Sequence, residues 1–235
     1  MDINILTTDK GVPIMNEVDA IRNRHSVRKY LNKNIEEEKV HILEDLIKEI
    51  NEESGLNIQL ITKEPEAFSG LLSRYGNFKN VNNYFALVGK TGRKAAIDTG
   101  YYGEKLVIKS QQLGLNTCWV GLNYKTINSA ISKNDDEKLH LLIALGYGEN
   151  QGYLRKSKTF EEVTSVSGEI PLWFRKGVEL ALLAPTAMNQ QKFVFTLEND
   201  KVILKEKIGF YSRIDLGIVK YHFEIGAGEE NFSWG

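Results

Sequence analysis

Near the start of the chain, apolar residues recur at helical spacing in two stretches. Asn16 is a good N-cap, with Glu17 and Asp19 set for the first turn and Val18, Ala20 and Ile21 for the buried face. A second helix is expected over about 35–50, where Val40, Leu43, Leu46, Ile47 and Ile50 share a face and Asn34 caps the acidic opening EEEK. The pattern then changes. NIQLIT (57–62), NYFALVG (83–89), TCWVG (117–121) and LHLLIALGYG (139–148) read as strands, rich in β-branched, aromatic and aliphatic residues. Asp98 is expected to cap a long helix that ends at Gly114. Gly100 and Gly103 lie one turn apart inside it. Each costs about 1 kcal/mol against alanine, which predicts close approach of another element or of a ligand.

A polar linker over 149–169 leads to a helix from Pro171, whose apolar run VELALL is stopped by Pro185. FVFTLE and KVILKE form an expected strand pair about an Asn199-Asp200 turn, and a helix over about 215–227 closes the chain. Strands and helices alternate, so the class is α/β or α+β, with helices covering a sheet.

The pattern also repeats. SGLNIQ (54–59) and TAMNQQ (186–191) share the order hydroxyl, small, long apolar, Asn, any, Gln, and each stands between a helix and a strand. Downstream, IDTG (97–100) recurs as IDLG (214–217), each time expected to open a helix. Matching motifs in matching order point to an internal duplication. A duplicated half-domain would pack as an intramolecular two-fold, imitating a homodimer.

Composition narrows the function. The 235 residues suffice for a large core, and 30 Lys plus Arg against 31 Asp plus Glu leave no bulk charge to draw nucleic acid or a membrane surface. The start, MDINILTTDKGVPI, has no apolar core of leader length, and no segment is long enough to span a bilayer. A single cysteine, Cys118, excludes an internal disulfide framework and suits a reducing cytoplasm. The histidines at 25, 41, 140 and 222 are scattered, so no metal site is expected. GYGENQG (146–152) follows a strand, but its glycine spacing and the RKSKTFEEV after it do not make a dinucleotide fingerprint.

Two stretches carry chemistry. RNRHSVRKY places Arg22, Arg24, His25, Ser26, Arg28 and Lys29 at a helix end. That is either a basic terminus complementing the helix dipole or a phosphate pocket, since Arg forks and a hydroxyl suit a dianion. LAPTAMNQQ (183–191) packs amides and hydroxyls where a helix meets a strand, the place where α/β proteins build sites.

Together these segments resemble the FMN-dependent nitroreductase family. Arg24, Ser26 and Arg28 match its Arg-x-Ser-x-Arg/Lys segment, and Ala184, Pro185, Thr186, Asn189 and Gln191 its Ala-Pro-Ser-x-x-Asn-x-Gln segment. DTG…QLGLNTCWVG, LIALGYG and KSKTFEEV resemble its later motifs. The resemblance implies an α+β fold, an α/β/α sandwich with a mixed sheet, here built from a first half (1–160) and a shorter second half (161–235). It implies that Arg24, His25, Ser26 and Arg28 hold the FMN phosphate and ribityl chain, with Lys156 and Lys158 adding charge. Pro185, Thr186, Ala187 and Asn189 would line the flavin from the other half, and Cys118, Trp119, Val120 and Gly121 would pass its ring edge. By residue type alone Cys118 is a small buried apolar residue and Trp119 a core residue. RYGNFK (74–79) is where a basic or amide group for the flavin's N1 and O2 is sought.

In the family's usual order the proline-bearing segment comes early and reaches a partner subunit's flavin. Here the early position reads EESGLNIQ, and the proline-bearing version arrives in the second half. The resemblance is therefore to the single-chain, duplicated branch, with one FMN per chain. The implied activity is transfer of reducing equivalents from NAD(P)H to a small acceptor such as a nitroaromatic or quinone, in a cytoplasmic monomer or homodimer. No catalytic side chain is named. The alternative is a flavin-binding protein or sensor without turnover.

Overall fold

The computed structural model describes residues 5–7 and 13–235, with side chains from Met15 onward. Most of the amino-terminal stretch read for a leader lies outside those residues. β1 (Ile5–Thr7) and β2 (Pro13–Met15) form a small antiparallel pair. α1 (Glu17–Asn23) opens as its sequence predicts: Asn16 Oδ1 accepts the Asp19 N–H at 2.8 Å. α2 (Glu37–Ser54) starts later than expected and is not capped by Asn34. Glu36 holds the N-cap position, but its carboxylate serves the Tyr147 hydroxyl and Lys33 instead of the helix backbone. Gly55 ends α2 at φ 70, a left-handed position that glycine adopts without strain.

β3 (Asn57–Ile61), the short α3 (Leu71–Tyr75), β4 (Asn83–Lys90), α4 (Arg93–Gln112), β5 (Asn116–Val120) and β6 (Glu137–Gly146) follow. The four strands form one sheet in the order β3-β4-β6-β5, antiparallel throughout. Asp98 does not cap α4. The helix begins a turn earlier, after Gly92 at φ 128, and Asp98 pairs with Lys94 at 2.6 Å.

The linker is more ordered than its polarity suggests. It carries α5 (Phe160–Val163), opened by a Thr159–Glu162 capping box, and Thr164 then bridges Phe195 in parallel. α6 (Leu172–Ala181), β7 (Phe193–Glu198), β8 (Lys201–Glu206), α7 (Ser212–Ala227) and β9 (Ser233–Trp234) complete the chain. β7 and β8 form the expected hairpin, with Asn199 at φ 56 in its turn, and β9 joins β8 in parallel, so the smaller sheet is mixed.

One continuous core joins the two sheets. Phe85, Leu87, Ile143 and Leu145 face α1, α2 and α4, which pack on to α6, α7 and the strand residues Phe193, Phe195 and Val202. The opposite face of the larger sheet, with Tyr84, Ala86 and Ala144, is covered by Val27, Tyr30, Phe68 and Phe78 from loops and short turns. The architecture is α+β, a helical layer with a sheet at each side. Among the described residues no helix is long and apolar enough to cross a membrane.

Helices α4 and α7 meet backbone to backbone. A Cβ on Gly100 would lie 1.9 Å from the Ile214 carbonyl oxygen, and one on Gly217 would lie 1.9 Å from that of Ile97. The close approach predicted from Gly100 is thus present, and IDTG and IDLG are the two segments in contact. Gly103 admits the indole of Trp119 in the same way, at 2.5 Å.

Candidate functional site

After α1 the chain leaves the helix at Arg24 and runs extended beside β5. Ser26 bridges Thr117, and the Val27 N–H donates to the Thr117 carbonyl at 3.0 Å. Extended backbone alternates its side chains, which sets Val27 opposite Ser26 and Arg28. Val27 and Tyr30 enter the core, while Arg24, Ser26 and Arg28 border a cavity of about 410 Å³. His25 lines it as well. That volume lies in the range that takes a drug-sized ligand.

The facing wall comes from the far end of the chain. Pro185, Thr186, Ala187 and Asn189 line it, together with Met188. Their turn is strained: Met188, Asn189 and Gln191 have φ of 50, 53 and 44, each a left-handed position for a residue with a side chain. Buried polar groups hold it. Asp215 accepts the Ala187 N–H at 2.9 Å and the Gln190 side-chain amide at 2.8 Å. Gln191, 1% exposed, accepts the Lys158 N–H at 2.8 Å and donates to the Leu182 carbonyl at 2.9 Å. The amides that look out of place in the sequence are the struts of this turn.

Arg155 braces the same turn from the other side. Its guanidinium donates to Asn189 Oδ1, to the Leu182 carbonyl at 3.1 Å and to the Ala184 carbonyl at 2.6 Å. Burial, and secondarily the charge of Arg24, lower its pKa to about 10. Arg24 is 6% exposed, its pKa is lowered by burial, and its Nε is a buried donor without a hydrogen-bond partner. Burial raises Asp215, also a cavity residue, to about 6. A cavity with one buried and one half-buried guanidinium and an unsatisfied donor suits an anion.

Trp119, Val120 and Gly121 border the cavity from the end of β5, and the Tyr211 hydroxyl donates to the Gly121 carbonyl at 3.0 Å, tying β5 to the start of α7. A Cβ on Gly121 would fall 2.6 Å from the Tyr211 ring. Ile21, Leu141, Ile214 and Ile218 supply apolar walls.

The structure therefore gathers Arg24, His25, Ser26, Arg28, Trp119, Val120, Gly121, Pro185, Thr186, Ala187 and Asn189 about one cavity. Three expected residues lie elsewhere. Cys118 is buried in the second core, where burial raises its thiol pKa, as the apolar reading expects. Lys158 donates its ammonium to the Gln191 carbonyl at 2.7 Å, and Lys156 offers its own carbonyl to Asn189 at 2.7 Å. No residue of RYGNFK reaches the cavity wall; this segment packs at α3 and against the Arg28–Tyr30 strand through Lys79. Arg155, Asp215 and Tyr211 join the site without being expected from the sequence. Two of them carry a sequence signal: Arg155 directly precedes Lys156, and Asp215 belongs to IDLG. Among the described residues no group of three or more His, Cys, Asp or Glu could hold a metal ion.

Comparison with known proteins bears on the fold and the family. No curated protein sequence matches the chain. The solved structure of a putative nitroreductase from Thermotoga maritima superposes with a TM-score of 0.65 at 23% identity, covering 92% of this chain and 85% of that one. A putative NADH dehydrogenase/NAD(P)H nitroreductase from Bacteroides thetaiotaomicron gives 0.51 at 15%, covering 63% and 95%. A putative nitroreductase from Desulfovibrio desulfuricans, in complex with FMN, gives 0.50 at 20%, covering 66% and 98%. At these identities the structures speak for the fold. The family model described as "Putative TM nitroreductase" matches residues 16–227, nearly the whole chain, and the protein belongs to that nitroreductase family.

Proposed function

We propose that the protein is an FMN-dependent oxidoreductase holding one flavin per chain. One observation carries the reading: the cavity is closed by RHSVR and the end of β5 on one side and by the strained PTAMN turn and α7 on the other, all from a single polypeptide. The residues fit the group. Buried Arg24 presents an unpaired donor, Arg28 and Ser26 stand on the same face, and apolar side chains offer a surface for a planar ring. The FMN complex of the Desulfovibrio desulfuricans relative supports the same choice of cofactor.

FMN, when bound, would supply hydride chemistry, accepting reducing equivalents from NAD(P)H and passing them to a small nitroaromatic or quinone. The chain's own part is binding and electrostatics. Arg24 and Arg28 neutralise the phosphate, Arg155 adds positive charge while bracing the turn, and Ile21, Leu141, Ile214 and Ile218 exclude water.

The same reading takes the chain as an internal duplicate. Apart from the short α3 between β3 and β4, the order α2-β3-β4-α4-β5 recurs as α6-β7-β8-α7-β9. The reciprocal contact of Gly100 with Ile214 and of Gly217 with Ile97 is what a two-fold between the repeats produces.

The test is an absorption spectrum of freshly purified protein with quantified FMN, followed by anaerobic NAD(P)H. One flavin per chain that bleaches supports the proposal. Flavin that stays oxidised supports the binding-protein alternative, and failure to take up added FMN overturns both.

A further inference from the structure

Beneath the cavity, side chains from four elements meet at one carboxylate. Glu104 on α4 is fully buried. Its Oε1 lies 2.8 Å from Nε2 of His222 on α7, and its Oε2 accepts the Trp119 Nε1–H at 2.8 Å. Arg24 Nε stands 3.9 Å from Oε1, a long contact with no hydrogen bond. His222 is also fully buried, and its Nδ1 lies 3.0 Å from the Leu180 carbonyl oxygen.

The partners assign the protons. A carbonyl oxygen can only accept, so Nδ1 of His222 carries a hydrogen. Nε2 then faces a carboxylate oxygen across a hydrogen-bond distance, and two lone pairs cannot share that gap. A proton lies between them. Drawn as imidazolium with carboxylate or as neutral ring with carboxylic acid, the pair has zero net charge.

The consequence falls on Arg24. Its nearest carboxylate is already engaged by His222 and Trp119, so its buried charge is left without a matched anion. Breaking or leaving incomplete a buried ion pair is costly, and such an arrangement persists where a ligand completes it.

We propose that His222 is a positioning residue for the cavity's anionic ligand: by sharing a proton with Glu104 it keeps the Arg24 guanidinium open to a phosphate group. This rests on the flavin reading of the cavity, with FMN as the probe and riboflavin, which lacks the phosphate, as its control.

Amide substitutions separate the possibilities. In E104Q the amide oxygen still accepts from Trp119 and the NH2 donates to His222, so the network stays satisfied with no carboxylate near Arg24. In H222Q the bond to Glu104 survives but the neutralising proton does not, and the freed carboxylate turns to Arg24. FMN affinity measured by fluorescence quenching should fall roughly tenfold or more in H222Q. It should hold or rise in E104Q and return close to wild type in the double variant. Riboflavin affinity should change little in all three.

Both single variants weakening FMN alike would mark a purely structural role and overturn the proposal. So would equal losses of FMN and riboflavin in H222Q. A wild-type protein that binds neither flavin fails the flavin reading instead, and the same variants are then compared by thermal shift with inorganic phosphate, where the same order of effects is expected. The wild-type protein gives a further readout that needs no substitution. The nitrogen-15 shifts of His222 should show Nδ1 protonated and Nε2 sharing a proton; a bare Nε2 would overturn the assignment.

Discussion

Gly100 lets α4 touch the Ile214 carbonyl of α7, which lies 1.9 Å from where a Cβ would sit, and Gly217 does the same for Ile97. Alanine would contribute about 1 kcal/mol of helix propensity at either position. Overpacking usually costs about 1–3 kcal/mol and more when backbone must move. Gly100→Ala and Gly217→Ala should each destabilise the protein by about 2 kcal/mol or more in urea denaturation. The double variant should lose less than the sum, because one contact is broken twice. A net gain in either single variant would deny the close approach.

Asp215 should make stability fall with rising pH. Its folded pKa of about 6 lies above the ordinary 3.8 because burial disfavours its charge. The contribution is complete below the unfolded value and is lost as pH climbs through the folded one. At about 1.4 kcal/mol per tenfold, the loss is on the order of 2–3 kcal/mol. Asp215→Asn keeps an acceptor for the Ala187 N–H and removes the titrating group, though the Gln190 nitrogen, held also by the Phe210 carbonyl, loses its second acceptor. Thermal denaturation should find the variant's stability flat with pH where the wild type's falls between about pH 4 and pH 7. A wild-type profile as flat as the variant's would remove Asp215 as the cause.

Arg155 should matter more for its shape than for its charge. Arg155→Lys keeps the cation but cannot reach Asn189, Leu182 and Ala184 together. Loss of charge-assisted bonds to buried acceptors costs about 1.5–3 kcal/mol. Both Arg155→Lys and Arg155→Ala should lower FMN affinity by roughly tenfold or more and speed proteolysis at the 186–191 turn. Full retention by the lysine variant would show that charge alone suffices.

The two arginines of RHSVR should not be equivalent. Arg24 is buried at the cavity floor and Arg28 is exposed at its edge. Exposed charges are screened by solvent and usually contribute less than about 1 kcal/mol. Arg24→Ala should strip FMN during dialysis, while Arg28→Ala should weaken it less than about tenfold. The reverse order in equilibrium dialysis would relocate the anion to the rim.

Local pattern carried most of the fold. The Asn16 cap, the strands of the larger sheet, the Asn199 turn and the tight glycines Gly100 and Gly103 follow from spacing and backbone propensity, which neighbouring residues decide among themselves. Asn34 and Asp98 misled because capping is a competition. Glu36 is drawn off by Tyr147 and Gly92 breaks the chain a turn early, and neither event is visible from the capping residue itself.

The sequence by itself determined two chemical segments, RHSVR and APTAMNQQ, because their residue types and order are fixed by covalent neighbours. It could not rank the cations around them. Only the tertiary structure decided that Arg155 lines the cavity while Lys156 and Lys158 do not, and that Asp215, inside α7 instead of opening it, holds a strained turn. The physical reason is that burial and hydrogen-bond partners come from residues far along the chain. Glu104 and His222 illustrate it: each is an unremarkable polar residue on its own helix until packing of α4 against α7 leaves the pair one proton to share.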